Sequence, residues 1–135
     1  ATSDDLAGLR VLCVDNDADI LDGMRVLLQR WGVQVRVAAT VDEALAQVGS
    51  GTPADSDPDS DTPDALLVDF HLHDRLDGLA TVAELRRRAG RAIPAALLTG
   101  DGSDALKAAA RREGCAVLTK PVKPAALRAW LAAHA

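Results

Sequence analysis

The stretch Leu9–Val37, LRVLCVDNDADILDGMRVLLQRWGVQVRV, decides the fold. Leu9 to Val14 is a short, mostly apolar run, the pattern of a strand buried on both faces. From Asp19 the period lengthens: Ile20, Met24, Leu27, Leu28 and Trp31 recur at helical spacing, and Gly32 follows as a stop signal. Val33, Val35 and Val37 then alternate with Gln34 and Arg36, which predicts a second strand. Strand, helix and strand in so short a span make one crossover unit of a parallel sheet.

The same alternation continues to the end of the chain. Thr40 reads as an N-cap, with Glu43 three residues later and Ala44, Leu45 and Val48 following. Ala65 to Val68 is a third apolar run, ending in Asp69, and Leu79, Val82, Ala83 and Arg86 predict a helix that stops near Gly90. Ile93–Leu98 reads as a strand, Ser103–Arg112 as a helix ended by Gly114, Ala116–Leu118 as a strand, and Ala125–Ala133 as a last helix carrying Leu127 and Leu131. The pattern is (βα) five times over. It predicts an α/β domain: a parallel sheet covered by helices on both faces, with right-handed crossovers.

Composition narrows the function. The chain has 135 residues, 48% hydrophobic and 26% charged, which suits one globular domain burying roughly two-thirds of its unfolded surface. Aromatic residues are 2% and Tyr is absent, so the core must be aliphatic. A base-stacking surface is poorly supplied, and a net charge of −5 also argues against nucleic acid. No apolar run approaches the ~20 residues of a membrane span, and no signal peptide opens the chain. Two cysteines, Cys13 and Cys115, are too few to staple a secreted mini-domain, so reduced thiols in a cytoplasmic protein are expected. The chain opens without Met, which leads to the expectation of a piece of a larger protein.

The charge has a location. Gly49–Asp64, GSGTPADSDPDSDTPD, holds Asp55, Asp57, Asp59, Asp61 and Asp64 and no basic residue. It is expected to be a flexible acidic insertion at about 49–64. The alternate carboxylates invite a calcium reading, but the glycine of the sharp turn and the closing Glu of a calcium loop are missing.

In open parallel sheets ligands bind beyond the carboxyl ends of the strands. The first strand ends in Asp15, Asn16 and Asp17, the third in Asp69, the fourth in Thr99, and the fifth in Lys120 followed by Pro121. Singly these are unremarkable, since an Asp after a strand commonly caps the next helix and a lone Lys is commonly solvated. Carboxylates, a hydroxyl and an ammonium converging on one edge point to a site.

As an ordered set, VLCVDND (Val11–Asp17), LLVDF (Leu66–Phe70), LLTG (Leu97–Gly100) and LTKP (Leu118–Pro121) resemble a response-regulator receiver domain, the phosphoacceptor module of two-component signalling. The resemblance covers about Leu9 to Leu131, the acidic insertion excepted, which gives a linker at 1–8 and a receiver domain at 9–135. It implies a flavodoxin-like fold of strand order 2-1-3-4-5. It implies that Asp69 accepts a phosphoryl group from a phosphohistidine, the donor being a histidine kinase or histidine phosphotransfer domain. It also implies a Mg²⁺ (or Mn²⁺) site from Asp15, Asn16, Asp69 and the backbone carbonyl of His71. Lys120 and the Thr99 hydroxyl would contact phosphoryl oxygens, Gly100 would leave room, and Lys120–Pro121 is a candidate cis peptide. Physical chemistry agrees: two unit charges of like sign at ~4 Å and an effective dielectric near 20 cost about 4 kcal/mol. A hard cation held by one or two carboxylates removes most of that barrier.

Departures qualify the resemblance. Asn16 stands where the family usually has a second carboxylate, so weaker metal affinity is expected. Val117 stands where an aromatic usually swings in when Thr99 engages the phosphoryl group, which puts a switch through Thr99 and Val117 in question. The loop FHLHDRLDG after Asp69 lacks the usual Pro and is one residue longer than the commonest form. His71 and Asp101 occupy positions that set phosphoryl lifetime in the family. The LAGLRVL lead-in (Leu6–Leu12) resembles those joining a hybrid sensor histidine kinase to its receiver, and a homodimer is compatible with the reading.

The rival functions are a degenerate receiver acting as a phosphorylation-independent protein-interaction module and a small enzyme on the same fold. A flavin site would want flanking aromatics, and a phosphohydrolase would want an acid where His71 stands. A zinc site at His71 and His73 has no supporting cluster. Arg86, Arg87 and Arg88 read as a solvated face or a phosphate contact, and Cys13 and Cys115 lie on strands too far apart for a disulfide.

Overall fold

The computed structural model describes residues 6–48, 63–72, 77–100 and 103–134. The acidic insertion, apart from Pro63 and Asp64, lies outside them, as do His73 and Asp101. Five strands and five helices alternate: β1 (Arg10–Val14), α1 (Ala18–Arg30), β2 (Gln34–Ala38), α2 (Val41–Ala46), β3 (Ala65–Asp69), α3 (Gly78–Ala89), β4 (Ala95–Thr99), α4 (Asp104–Arg112), β5 (Cys115–Thr119) and α5 (Pro124–Ala133). All neighbouring strands are parallel, in the order β2-β1-β3-β4-β5, which is the flavodoxin-like topology expected.

The continuous apolar strands are explained by the two cores they serve. Successive side chains point to opposite faces. Leu12, Val14, Leu66, Val68, Ala95 and Leu97 therefore pack with α2, α3 and α4, through Val41, Ala44, Val82, Leu85, Leu106 and Ala110. Val11, Cys13, Ala65, Leu67, Ala96 and Leu98 pack with α1 and α5, through Leu21, Leu28, Leu127 and Leu131. Leu6, in the expected lead-in, is fully buried in this second cluster. Among the described residues no helix is long and apolar enough to cross a membrane.

Local signals are realised where they were strongest. The Thr40 hydroxyl accepts from the Glu43 N–H at 3.1 Å while Glu43 Oε1 accepts from the Ala39 N–H at 3.1 Å, closing a reciprocal cap at the start of α2. Gly90 ends α3 at φ +75°, in the left-handed region that other residues avoid. The stripe on α1 is turned from expectation: Leu21 and Leu28 are buried, whereas Ile20, Met24, Leu27 and Trp31 are half-buried on its flank. Two residues seven apart meet the sheet squarely, and their neighbours form a shoulder.

Arg86 corrects the reading of the arginine run. It is neither free in solvent nor near the site. Its guanidinium donates to three carbonyls, Ile93 at 2.9 Å, Glu113 at 2.5 Å and Gly114 at 3.0 Å, tying the end of α3 to the approach to β4 and the turn before β5. Arg87 pairs with Glu84 one turn back. Asp64 is likewise anchored: its Oδ2 accepts from the Arg10 N–H at 2.9 Å and its N–H donates to the Arg10 carbonyl at 2.7 Å. Arg86→Ala is expected to lower stability in urea by about 2 kcal/mol, since charged donors are worth more than neutral ones. Arg88→Ala, at an exposed position, is expected to stay within about 0.5 kcal/mol.

Candidate functional site

The carboxyl ends of β1, β3 and β5 deliver Asp15, Asp69 and Lys120 to one place. Asp15 is 2% exposed and Asp69 4%. The Lys120 ammonium bridges them, with Nζ 3.2 Å from Asp69 Oδ1 and 3.4 Å from Asp15 Oδ2. Backbone amides complete the holding pattern: the Asp17 N–H donates to Asp15 Oδ1 at 2.9 Å, and the His71 N–H donates to Asp69 Oδ1 at 3.3 Å. Above the carboxylates opens a cleft of about 470 Å³ whose lining includes Asp15, Asn16, Asp69, His71, Gly100 and Lys120.

The Asp15-Asn16-Asp17 triplet divides its labour. Asp17 is the N-cap of α1, accepting from the Asp19 N–H at 2.9 Å, so the capping expectation holds for that residue. Asp15 turns to the lysine instead. Thr99 is fully buried at the end of β4 and does not line the cleft, although its neighbour Gly100 does. The Thr99 carbonyl accepts the Lys120 N–H at 2.7 Å, joining the two strand ends. A Cβ at Gly100 would meet open space. Val117 is half-buried against the core beneath α3 and α4. The Lys120–Pro121 peptide is cis, as expected.

Burial pushes the Asp15 carboxyl above its usual range; the Asp17 N–H lowers it, the nearby Asp69 charge raises it, and Lys120 lowers it. Asp15 and Asp69 against one ammonium, with the Asp17 carboxylate also on the cleft wall, leave the site short of positive charge. The side-chain oxygens of Asp15, Asn16 and Asp69, with the backbone carbonyl of His71, could hold a hard cation that keeps several waters. Among the described residues no three His, Cys, Asp or Glu side chains gather to hold a metal, so a cation here would rest on two carboxylates completed by amide, backbone and water oxygens. Burial, with Asp15 adding, pushes the Cys13 thiol up to about 12, and Cys13 and Cys115 are both buried free thiols.

Two features escaped the sequence reading. One is an apolar groove of about 530 Å³ beside the cleft, walled by Ile20, Gly23, Met24 and Leu27 of α1 and by Pro121 and Val122, and sharing Ile20 and Lys120 with the cleft. The rotated stripe of α1 leaves this shoulder unfilled. The other is Gly78, whose signal was a glycine in the first turn of a helix directly after its Asp77 cap.

A flavodoxin-like sheet with an acidic pair and a lysine at its carboxyl edge defines the class of domain. Residues 11–132 match the response regulator receiver domain, and the chain belongs to that family. It is 32% identical over 121 residues to a 14.6 kDa protein of Leptolyngbya boryana, covering 88% of this chain and 84% of that one. Among solved structures it is similar to the chemotaxis protein CheY4 of Vibrio cholerae, with TM-score 0.78 and 25% identity over 96% of this chain and 100% of that one. It is also similar to the receiver domain of NtrX from Brucella abortus, with TM-score 0.72 and 28% identity over 88% of this chain and 92% of that one. Receiver domains of two-component systems generally bind Mg²⁺ and work with histidine kinases or phosphotransfer partners.

The raised Asp15 carboxyl has a testable sign. Its ionised form is disfavoured in the folded protein relative to the unfolded one. The cost is therefore present above the raised pKa and relaxes as pH falls through it. Without divalent metal, Asp15→Asn keeps an acceptor for the Asp17 N–H and should melt higher than the unchanged protein at pH 7. The gap should close on acidification.

Proposed function

We propose that this receiver is a Mg²⁺-dependent phosphoacceptor that takes a phosphoryl group from a phosphohistidine onto Asp69. The observation that carries this reading is the Lys120 ammonium held between the buried carboxylates of Asp15 and Asp69 at the floor of an open cleft. An Asp69 carboxylate oxygen attacks the phosphorus; the new O–P bond forms as the N–P bond breaks, and its electron pair leaves on the imidazole nitrogen. Lys120, already 3.2 Å from Asp69, is placed to neutralise an incoming phosphoryl oxygen. A bound Mg²⁺ supplies the remaining positive charge, and Asp15, Asn16, Asp69 and the His71 carbonyl would hold it. His71 lines the cleft and bounds the approach of hydrolytic water.

The donor must bring an imidazole to Asp69, so its surface falls on the rim of the cleft. The adjoining apolar groove suits the apolar face of a helix of the kinase or phosphotransfer domain. Nothing in this transfer needs an aromatic at Val117. Asn16 lowers the negative charge offered to the metal without removing an oxygen donor.

The test is intact-protein mass after incubation with acetyl phosphate, with and without Mg²⁺, for the unchanged protein and Asp69→Ala. A gain of one phosphoryl group that needs Mg²⁺ and vanishes in Asp69→Ala is expected. A gain that survives in the variant would reject Asp69 as acceptor. No gain from acetyl phosphate or from any histidine donor would favour the phosphorylation-independent interaction module.

A further inference from the structure

A glycine inside a helix costs about 1 kcal/mol relative to alanine. Gly78 opens α3, and its φ lies outside the left-handed region that would justify glycine. Space explains it. A Cβ there would lie 2.5 Å from the Asp69 carbonyl oxygen, 2.6 Å from Phe70 Cα and 3.0 Å from the Asp69 carbonyl carbon, all backbone atoms that cannot swing aside. The first turn of α3 therefore rests directly on the peptide that follows Asp69.

The contact is directional as well as close. The Gly78 N–H donates to the Phe70 carbonyl at 2.9 Å. The other end of that same peptide unit, the His71 N–H, donates to Asp69 Oδ1 at 3.3 Å. One peptide plane thus links the helix to the carboxylate. The helix start is itself pinned: Asp77 Oδ1 accepts from the Ala80 N–H at 2.8 Å, and the fully buried Thr81 returns its hydroxyl to the Asp77 carbonyl at 2.7 Å.

We infer that Gly78 is a positioning residue for the phosphoacceptor: it fixes the plane of the Phe70–His71 peptide and through it the direction of the Asp69 carboxylate and the His71 carbonyl. The inference rests on the reading of those two groups as metal contacts. Turning the plane would draw the His71 N–H away from Asp69 and shift the neighbouring carbonyl. A mutation at Gly78 should therefore reach the site without altering any side chain in it.

The test compares Gly78→Ala with Gly90→Ala by thermal melting and by calorimetric titration with Mg²⁺. Gly90→Ala strains the far end of the same helix through its φ of +75° but meets nothing near its Cβ. Both variants should melt lower than the unchanged protein. Only Gly78→Ala should weaken Mg²⁺ binding, by about tenfold, as when a group supporting a metal ligand is removed. Should Gly78→Ala not fold, replacing Gly78 by glycolate through nonsense suppression removes the N–H and adds no bulk, and it should weaken Mg²⁺ binding in the same direction. Equal affinity in the folded Gly78 variant and the unchanged protein, or equal weakening in Gly90→Ala, would overturn the inference. Absence of Mg²⁺ binding by the unchanged protein would overturn the metal-site reading itself and this inference with it.

Discussion

One ammonium between two buried carboxylates is the constraint on which the rest of the structure depends. Neither Asp15 nor Asp69 could sit almost wholly out of water without a nearby counter-charge. Lys120 provides it across the sheet, from a strand two places from β3 and three from β1. Backbone amides at the strand ends share the load, and the Thr99 carbonyl holds the Lys120 amide. The sheet supplies what a loop could not, three strand ends locked in register by parallel pairing.

This arrangement sets function against stability. A domain chosen for stability alone would replace Asp15 by an uncharged residue, because its ionised form is held where water is excluded. A surplus of negative charge beside an open cleft is what attracts a divalent cation, and with it a phosphoryl group. Asn16 moderates that surplus by offering an oxygen with no charge. Asp17 lines the cleft as well, but it spends one carboxylate oxygen on capping α1.

Much of this was legible in the sequence, for a physical reason. Strand ends at Asp15, Asp69, Thr99 and Lys120 are marked by local pattern, and parallel topology carries them to one edge. The caps at Thr40 and Gly90 are also local chemistry. What stayed hidden depends on contacts between distant segments. The α1 stripe admits several rotations, and only packing on the sheet selects Leu21 and Leu28. Arg86 reads as one of three surface arginines until Glu113 and Gly114 are brought beside it. Gly78 reads as a loop residue until the Asp69 carbonyl is found where its side chain would be.

The most direct test of the central claim is a Mg²⁺ titration followed by carbon-13 NMR of the Asp15, Asp17 and Asp69 carboxyl carbons. The expected result is that Asp15 and Asp69 move together along one saturation curve of one-to-one stoichiometry while Asp17 barely responds. Independent curves for Asp15 and Asp69, or a response led by Asp17, would contradict a single cation shared by the two buried carboxylates.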